Sequence, residues 1–375
     1  MHVAGDRITL DESGQGERAV KTEISIEGNR FLINGRPTYA GVSYKGMPVE
    51  GLLFNSRMVQ AIFDDECEET RKVWAYPDTG EWDPDRNTDE FCQMLPVYRS
   101  YGLLAVTVGL QGGGSVYSAE VYDRYVNSAF TPEGKFKQPY FDRLLRVLKA
   151  ADEAGMVVIV NYFYFKHARR FVSEKVVYEV AVRTTEWLLS TGYRNILVDV
   201  ANESADWWNF PVLQPGNIHR VIEMVKGVTY RGRRLLVGSS TGGGDQIPTE
   251  AWLEAEDITL PHGNECMPDE LRHKIRRIRQ SAAYRKRPRP IVVNEDSVHL
   301  DNLEAALSEY ASWGFYHQGY GSMYKDRRMD WTVKPRERDF ANLSGFQTVP
   351  VNWSINDEHK RAFFQKLKEI TGGGS

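Results

Sequence analysis

The chain has 375 residues, 41% of them hydrophobic and 26% charged, and 47 Lys+Arg against 51 Asp+Glu leave a formal charge of −4. That near-neutral, mixed balance carries no electrostatic footprint for nucleic acid or an anionic membrane surface. Three cysteines, Cys67, Cys92 and Cys266, stand apart without a CxxC spacing, which argues against a disulfide scaffold or a structural zinc.

Residues 1–20 are polar and Gly-rich and read as a flexible tail without a signal-peptide core. The expected location is cytoplasmic, or secreted or periplasmic if a leader has been removed. No run reaches the ~18 apolar residues of a membrane helix. Short β-like runs at 24–26, 30–33 and 38–42 are separated by Glu27-Gly28-Asn29 and Asn34-Gly35, whose Asn and Gly tolerate the positive φ of tight turns. They predict a small hairpin leading into a buried strand.

From there apolar runs alternate with helical periodicity. Strands are predicted at 39–43, 103–109, 157–161, 196–201, 234–238, 258–260, 291–294 and 314–317. Several, such as Val157-Val158-Ile159-Val160, are apolar on both faces, as in parallel strands covered by helices. Helices are predicted at 88–101, 139–155, 173–189, 217–228, 268–283, 303–312 and 357–370; in the second, Pro139 suits the first turn and Gly155 the stop. Eight βα repeats without a composition break indicate an α/β fold, a single (β/α)8 TIM barrel with a short N-terminal β-hairpin, over residues 21–371. Residues 372–375 read as a linker-like tail. No GxGxxG follows an early strand, and Gly112-Gly113-Gly114 and Gly242-Gly243-Gly244 lack a P-loop ending, so they read as loops. Residues 55–87, with Trp74, Tyr76 and Trp82, read as a long loop after the first strand, of the kind that is usually functional. The basic stretch from Arg272 to Arg289 reads as a solvated helix face.

A barrel builds its site at the C-terminal strand ends. Two strands end alike, the fourth in Asn202-Glu203 and the seventh in Asn294-Glu295, while a third Asn-Glu dipeptide, Asn264-Glu265, lies on a loop. Two carboxylates about 5–5.5 Å apart suit a retaining glycosidase, one protonated to assist the leaving oxygen and one ionised to attack. On these residues, and on the opening Phe31-Leu32-Ile33-Asn34-Gly35-Arg36-Pro37, the chain resembles the clan of retaining glycoside hydrolases built on (β/α)8 barrels, of which family 5 is the best known. The resemblance implies Glu203 as acid/base, Glu295 as nucleophile and Asn202 as a contact to the sugar 2-hydroxyl. It also implies a carbohydrate substrate and no metal or organic cofactor. His262 sits where the clan often has a His beside the nucleophile. The clan also keeps an Arg near strand two, and Val108-Gly109-Leu110-Gln111 supplies none. Tyr44 after strand one, Asn161 and Tyr164 after strand three, Trp207 and Trp208 after strand four, and Tyr316 and Gln318 after strand eight are candidate sugar contacts, the aromatics as stacking faces. Glu265 and Asp245 are rival carboxylates. Two alternatives are a barrel that binds carbohydrate without cleaving it and a metal-dependent hydrolase using His262, His317 and carboxylates. Neither the glycan, its linkage nor the oligomeric state follows from the sequence.

Overall fold

The computed structural model describes residues 20–112, 124–318 and 345–373, and the backbone of 324–325 and 328–329. The chain begins with an antiparallel sheet of β1 (Ile24–Glu27), β2 (Arg30–Ile33) and β3 (Arg36–Pro37). Gly28, Asn34 and Gly35 all take positive φ in its turns, as their sequence predicts. Phe31 and Ile24 pack with Leu53, Leu104, Val157, Ile159 and Leu197, so the hairpin plugs the N-terminal end of the barrel.

The predicted first strand is not where the sequence put it. Residues 39–43 turn through positive φ at Tyr39 and Gly41 into a two-residue ribbon, β4 (Ser43–Tyr44) with β5 (Met47–Pro48). The first barrel strand is β6 (Asn55–Arg57), between β7 (Ala105–Gly109) and a later strand. Its three side chains are polar yet at most 2% exposed, so apolar patterning could not find it. The barrel continues through β8 (Val157–Phe163), β9 (Ile196–Ala201), β10 (Leu236–Gly238), β11 (Val292–Val293) and β12 (Ser312–Phe315). These seven strands are parallel in the order β10-β9-β8-β7-β6-β12-β11. Parallel bridges Ser240 to Leu260 and Thr259 to Ile291 insert residues 258–260 as the sixth strand and close the ring. The fold is an eight-stranded α/β barrel.

Helices α1 (Glu68–Arg71), α2 (Pro84–Ser100), α3 (Gln138–Glu153), α4 (Phe165–Ala168), α5 (Glu174–Ser190), α6 (Ile218–Gly227), α7 (Glu250–Ala255), α8 (Pro268–Gln280), α9 (Ala282–Lys286), α10 (Leu300–Ser308) and α11 (Glu358–Thr371) surround it. Pro in the first turn starts α2, α3 and α8, where a missing N–H costs nothing. Gly155 stops α3 at φ +70°. The predicted helix 268–283 is two helices, because Ser281 is extended and its hydroxyl caps α9 by accepting from Tyr284 N. Only the six-residue α7 fills the connection between strands five and six. Among the described residues no helix is long and apolar enough to cross a membrane.

Residues 58–83 fold into their own aromatic layer. Trp74 and Tyr76 are fully buried, Trp74 meets Phe63 edge-on, and Tyr76 stacks on Trp82 at 5.6 Å. The buried Asp65 carboxylate accepts from Trp74 Nε1 (2.7 Å), Thr70 Oγ1 (2.6 Å) and Val126 N (2.9 Å), so these aromatics are spent on packing. The basic stretch is largely paired: Arg272 with Asp269, Arg276 with Glu309, Arg277 with the Asp245 carbonyl and Arg279 with the Tyr310 carbonyl. Gly113 and Gly114 lie outside the described residues. In the other Gly-rich loop a Cβ on Gly243 would stand 2.5 Å from the Asn264 carbonyl oxygen, so that close approach requires glycine.

Candidate active site

The polar first strand accounts for the centre of the site. Strand alternation aims Arg57 into the barrel mouth, where its Nε lies 2.5 Å from Glu295 Oε2 and an Nη donates to Asn202 Oδ1, also at 2.5 Å. Glu295 follows β11 with a side chain 7% exposed, and its other oxygen accepts from Asn264 Nδ2 at 2.7 Å. Glu203 follows β9 in the left-handed region, φ +54°, a strained backbone for a non-glycine residue. Its N–H donates to Ser240 Oγ and its Oε1 lies 3.1 Å from His262 Nδ1. His262, at the end of the sixth strand, is fully buried and 3.6 Å from Glu295 Oε2. One oxygen of each carboxylate and a His262 nitrogen all lie within 4.8 Å of one another.

The environments of these groups differ. Burial raises the pKa of Glu203, opposed by the charges of Arg57 and Lys274. Burial pushes His262 down to about 3, against the pull of Glu295. A neutral imidazole therefore stands at hydrogen-bond distance from Glu203. Glu295 has an ionic partner, Arg57, at contact distance. Beneath them burial lifts Asp199 to about 7, opposed by Arg57 and by hydrogen bonds from Ser240; its carboxylate also accepts from Asn294 Nδ2 at 3.3 Å.

The other candidates divide into two groups. Trp208 donates from Nε1 to the Glu203 carbonyl at 3.0 Å, and Trp207, with the residue 56% exposed, stacks beside it and meets Phe165 edge-on at 4.6 Å. Tyr164 lies against Phe165 at 4.4 Å. Tyr316 is 5% exposed with the Arg57 guanidinium 5.6 Å from its ring centre and its hydroxyl on Gln347. Asn161 sits lower, inside the barrel, donating to the Asp199 carbonyl at 3.3 Å. Gln318 is buried, its carbonyl accepting from Thr348. Tyr44 is elsewhere: once 39–43 is not a barrel strand, nothing carries it to the mouth, and its hydroxyl donates to Glu369 of α11 at 2.8 Å. Glu265 and Asp245 are exposed. His317 is buried on Asp357, 3.3 Å away.

Arg57 escapes the apolar pattern because all three residues of its strand are polar, and it stands on strand one, whereas strand two carries no Arg. The third Asn-Glu dipeptide contributes Asn264 instead of Glu265. Glu203, Glu295 and His262 could by geometry hold a cation. The guanidinium against Glu295 and the buried ammonium of Lys274 already place positive charge there, which disfavours a second cation. Replacing Arg57 by methionine leaves the buried Glu295 without its ionic partner, so a stability loss of about 3–5 kcal/mol is expected. Urea unfolding checks it, and the loss should be smaller when Glu295→Gln is already present.

No family model and no curated protein sequence matches the chain. Among solved structures the chain is similar to a broad-specificity endoglucanase of glycoside hydrolase family 5 from Clostridium longisporum, at 8% identity and a TM-score of 0.51 over 85% of this chain and 96% of that one. It is also similar to an endo-1,4-β-D-mannanase from Thermotoga petrophila (12% identity, TM-score 0.48, 84% and 98% covered) and to a β-glucosidase (16%, 0.46, 71% and 87%). The endoglucanase match shows the barrel fold.

Proposed function

We propose that this chain is a retaining glycoside hydrolase acting on a β-linked oligo- or polysaccharide, with Glu295 as nucleophile and Glu203 as acid/base. The observation that carries the reading is the pair of carboxylates with oxygens within 4.8 Å, one against a guanidinium and one in a burial that favours its proton. Retaining enzymes hold the two groups about 5–5.5 Å apart and inverting ones about 6.5–9.5 Å; facing oxygens within 4.8 Å support the retaining reading.

In the first step Glu295 Oε attacks the anomeric carbon as Glu203 gives its proton to the departing oxygen. Arg57 and Asn264 hold Glu295 in place, and His262 orients Glu203. Once Glu295 is an ester its charge is gone, the pKa of Glu203 falls, and Glu203 takes a proton from the attacking water. Asn202, fixed by Arg57, is placed to meet the 2-hydroxyl of the sugar. Trp207 and Phe165, backed by the buried Trp208, offer apolar faces for further sugar rings. A neutral glycan suits this mouth.

A screen of aryl β-glycosides and of β-glucans and β-mannans, with the Glu295→Ala variant as control, tests the reading. Release of nitrophenol or reducing ends by the unaltered protein alone supports it. Tight glycan binding without turnover would instead favour the non-catalytic barrel. Trp207→Ala is expected to raise KM for a polysaccharide by about 3–10-fold, the value of one aromatic face, and to leave kcat/KM on a monosaccharide aryl glycoside within twofold, as initial rates on both substrates would reveal.

A further inference from the structure

Lys274 stands on the inner face of α8, 1% exposed. Its ammonium donates to the carbonyl of His262 at 2.6 Å and to the carbonyl of Gly242 at 2.9 Å. Among the described residues no carboxylate lies within ion-pair distance of it. Two carbonyls would be satisfied equally well by a neutral donor, whereas burying an ammonium is costly. A buried charge kept without a counter-ion acts on what surrounds it. The titratable groups that feel Lys274 are Cys266 on the loop before α8, Glu203 at the end of β9, Asp296 after β11 and Asp245 on the Gly-rich loop. Of these only Glu203 belongs to the reacting pair. Facing Glu203 in turn are Arg57 from β6, the Glu295 carboxylate after β11, Lys274, and His262 from the sixth strand, whose carbonyl Lys274 holds and whose Nδ1 lies 3.1 Å from Glu203 Oε1.

We propose that Lys274 is a positioning residue of the acid/base: its buried ammonium, tied to the carbonyls of His262 and Gly242 rather than to a carboxylate, sets how tightly Glu203 holds its proton. The inference deepens the glycosidase reading and rests on it for the role of Glu203. Burial alone favours the neutral carboxyl; a positive charge behind it favours the ionised one. With both, Glu203 stays protonated for the first step yet releases readily when it must become a base. Arg57 exerts the larger pull toward the ionised form while also holding Glu295 and Asn202, and Lys274 adds to it from the other side of the His262 strand end. Burial also brings Lys274 itself down to about 8, so the ammonium persists at neutral pH and is lost in mildly alkaline solution.

The test is a direct titration of Glu203 by carbon-13 NMR in carboxyl-labelled protein, with the resonance assigned by Glu203→Gln. Lys274→Met should raise the Glu203 midpoint by at least about half a pH unit, because a stabilising positive charge is gone, and Lys274→Arg should hold it near the original value. In the unaltered protein the Glu203 resonance should show a second inflection as Lys274 loses its proton, a readout that needs no variant to fold. An unchanged midpoint in Lys274→Met, or a single inflection in the unaltered protein, overturns the proposal and leaves Lys274 a packing tie. In kinetics the alkaline limb of kcat/KM moves upward with the midpoint. An unaltered protein that cleaves no glycoside overturns the glycosidase reading, and the titration still decides whether Lys274 controls Glu203.

Discussion

Glu295→Ala is expected to lower turnover of an activated aryl β-glycoside by at least about 10³-fold, because no other group can form the covalent intermediate. In this molecule the argument is local. Glu295 is the carboxylate with a guanidinium on one oxygen and an amide on the other, and its removal leaves a small polar gap facing the anomeric carbon. Azide should fill that gap and restore turnover, attacking from the face Glu295 used and yielding the α-glycosyl azide. Loss of activity without rescue would point to a structural role for Glu295, and near-normal activity would remove it from the chemistry. Product identity by NMR distinguishes these results.

Glu203→Ala should behave differently in kind. Proton transfer by a positioned group is worth about 10²–10⁴-fold, so the variant is expected to lose that factor on substrates with poor leaving groups. A dinitrophenyl glycoside, which needs no proton, should still form the intermediate and then stall. Azide should now give the β-glycosyl azide, the opposite anomer from the Glu295 variant. The pH dependence follows with a definite sign. Glu203 must carry a proton in the first step, and burial raises its pKa, so kcat/KM of the unaltered protein falls as pH rises through that value. In Glu203→Ala, on the dinitrophenyl substrate, that alkaline limb should vanish. A limb that persists would assign it to another group, Lys274 being the nearest with a value of about 8.

Most of the barrel was legible from sequence because its strands are apolar on both faces and its helices open on proline or stop on glycine. Strands 196–201 and 157–161 were found by Val and Ile runs, and the helix before Gly155 by its apolar face. The first strand was not legible for a reason tied to function. Asn55, Ser56 and Arg57 are buried polar residues beneath the mouth, and a strand that carries polar groups into a barrel interior loses the pattern by which strands are recognised. That single displacement hid Arg57 and sent Tyr44 to the wrong end of the molecule. Glu203 and Glu295 could be singled out because each closes an apolar strand with the same dipeptide. Asn264 could not, since its dipeptide follows a loop, and only the bridge between His262 and Glu295 brings it to the site. The aromatics of 58–83 show the converse: Trp74, Tyr76 and Trp82 look like a binding loop in sequence and are packed upon one another in the fold.

The central claim, double displacement across Glu203 and Glu295, is tested most directly by the configuration of the first product. Proton NMR during cleavage of the best aryl β-glycoside should show the β-hemiacetal appearing first and the α-anomer only later, by mutarotation. Initial formation of the α-anomer would mean a single displacement and would contradict the account.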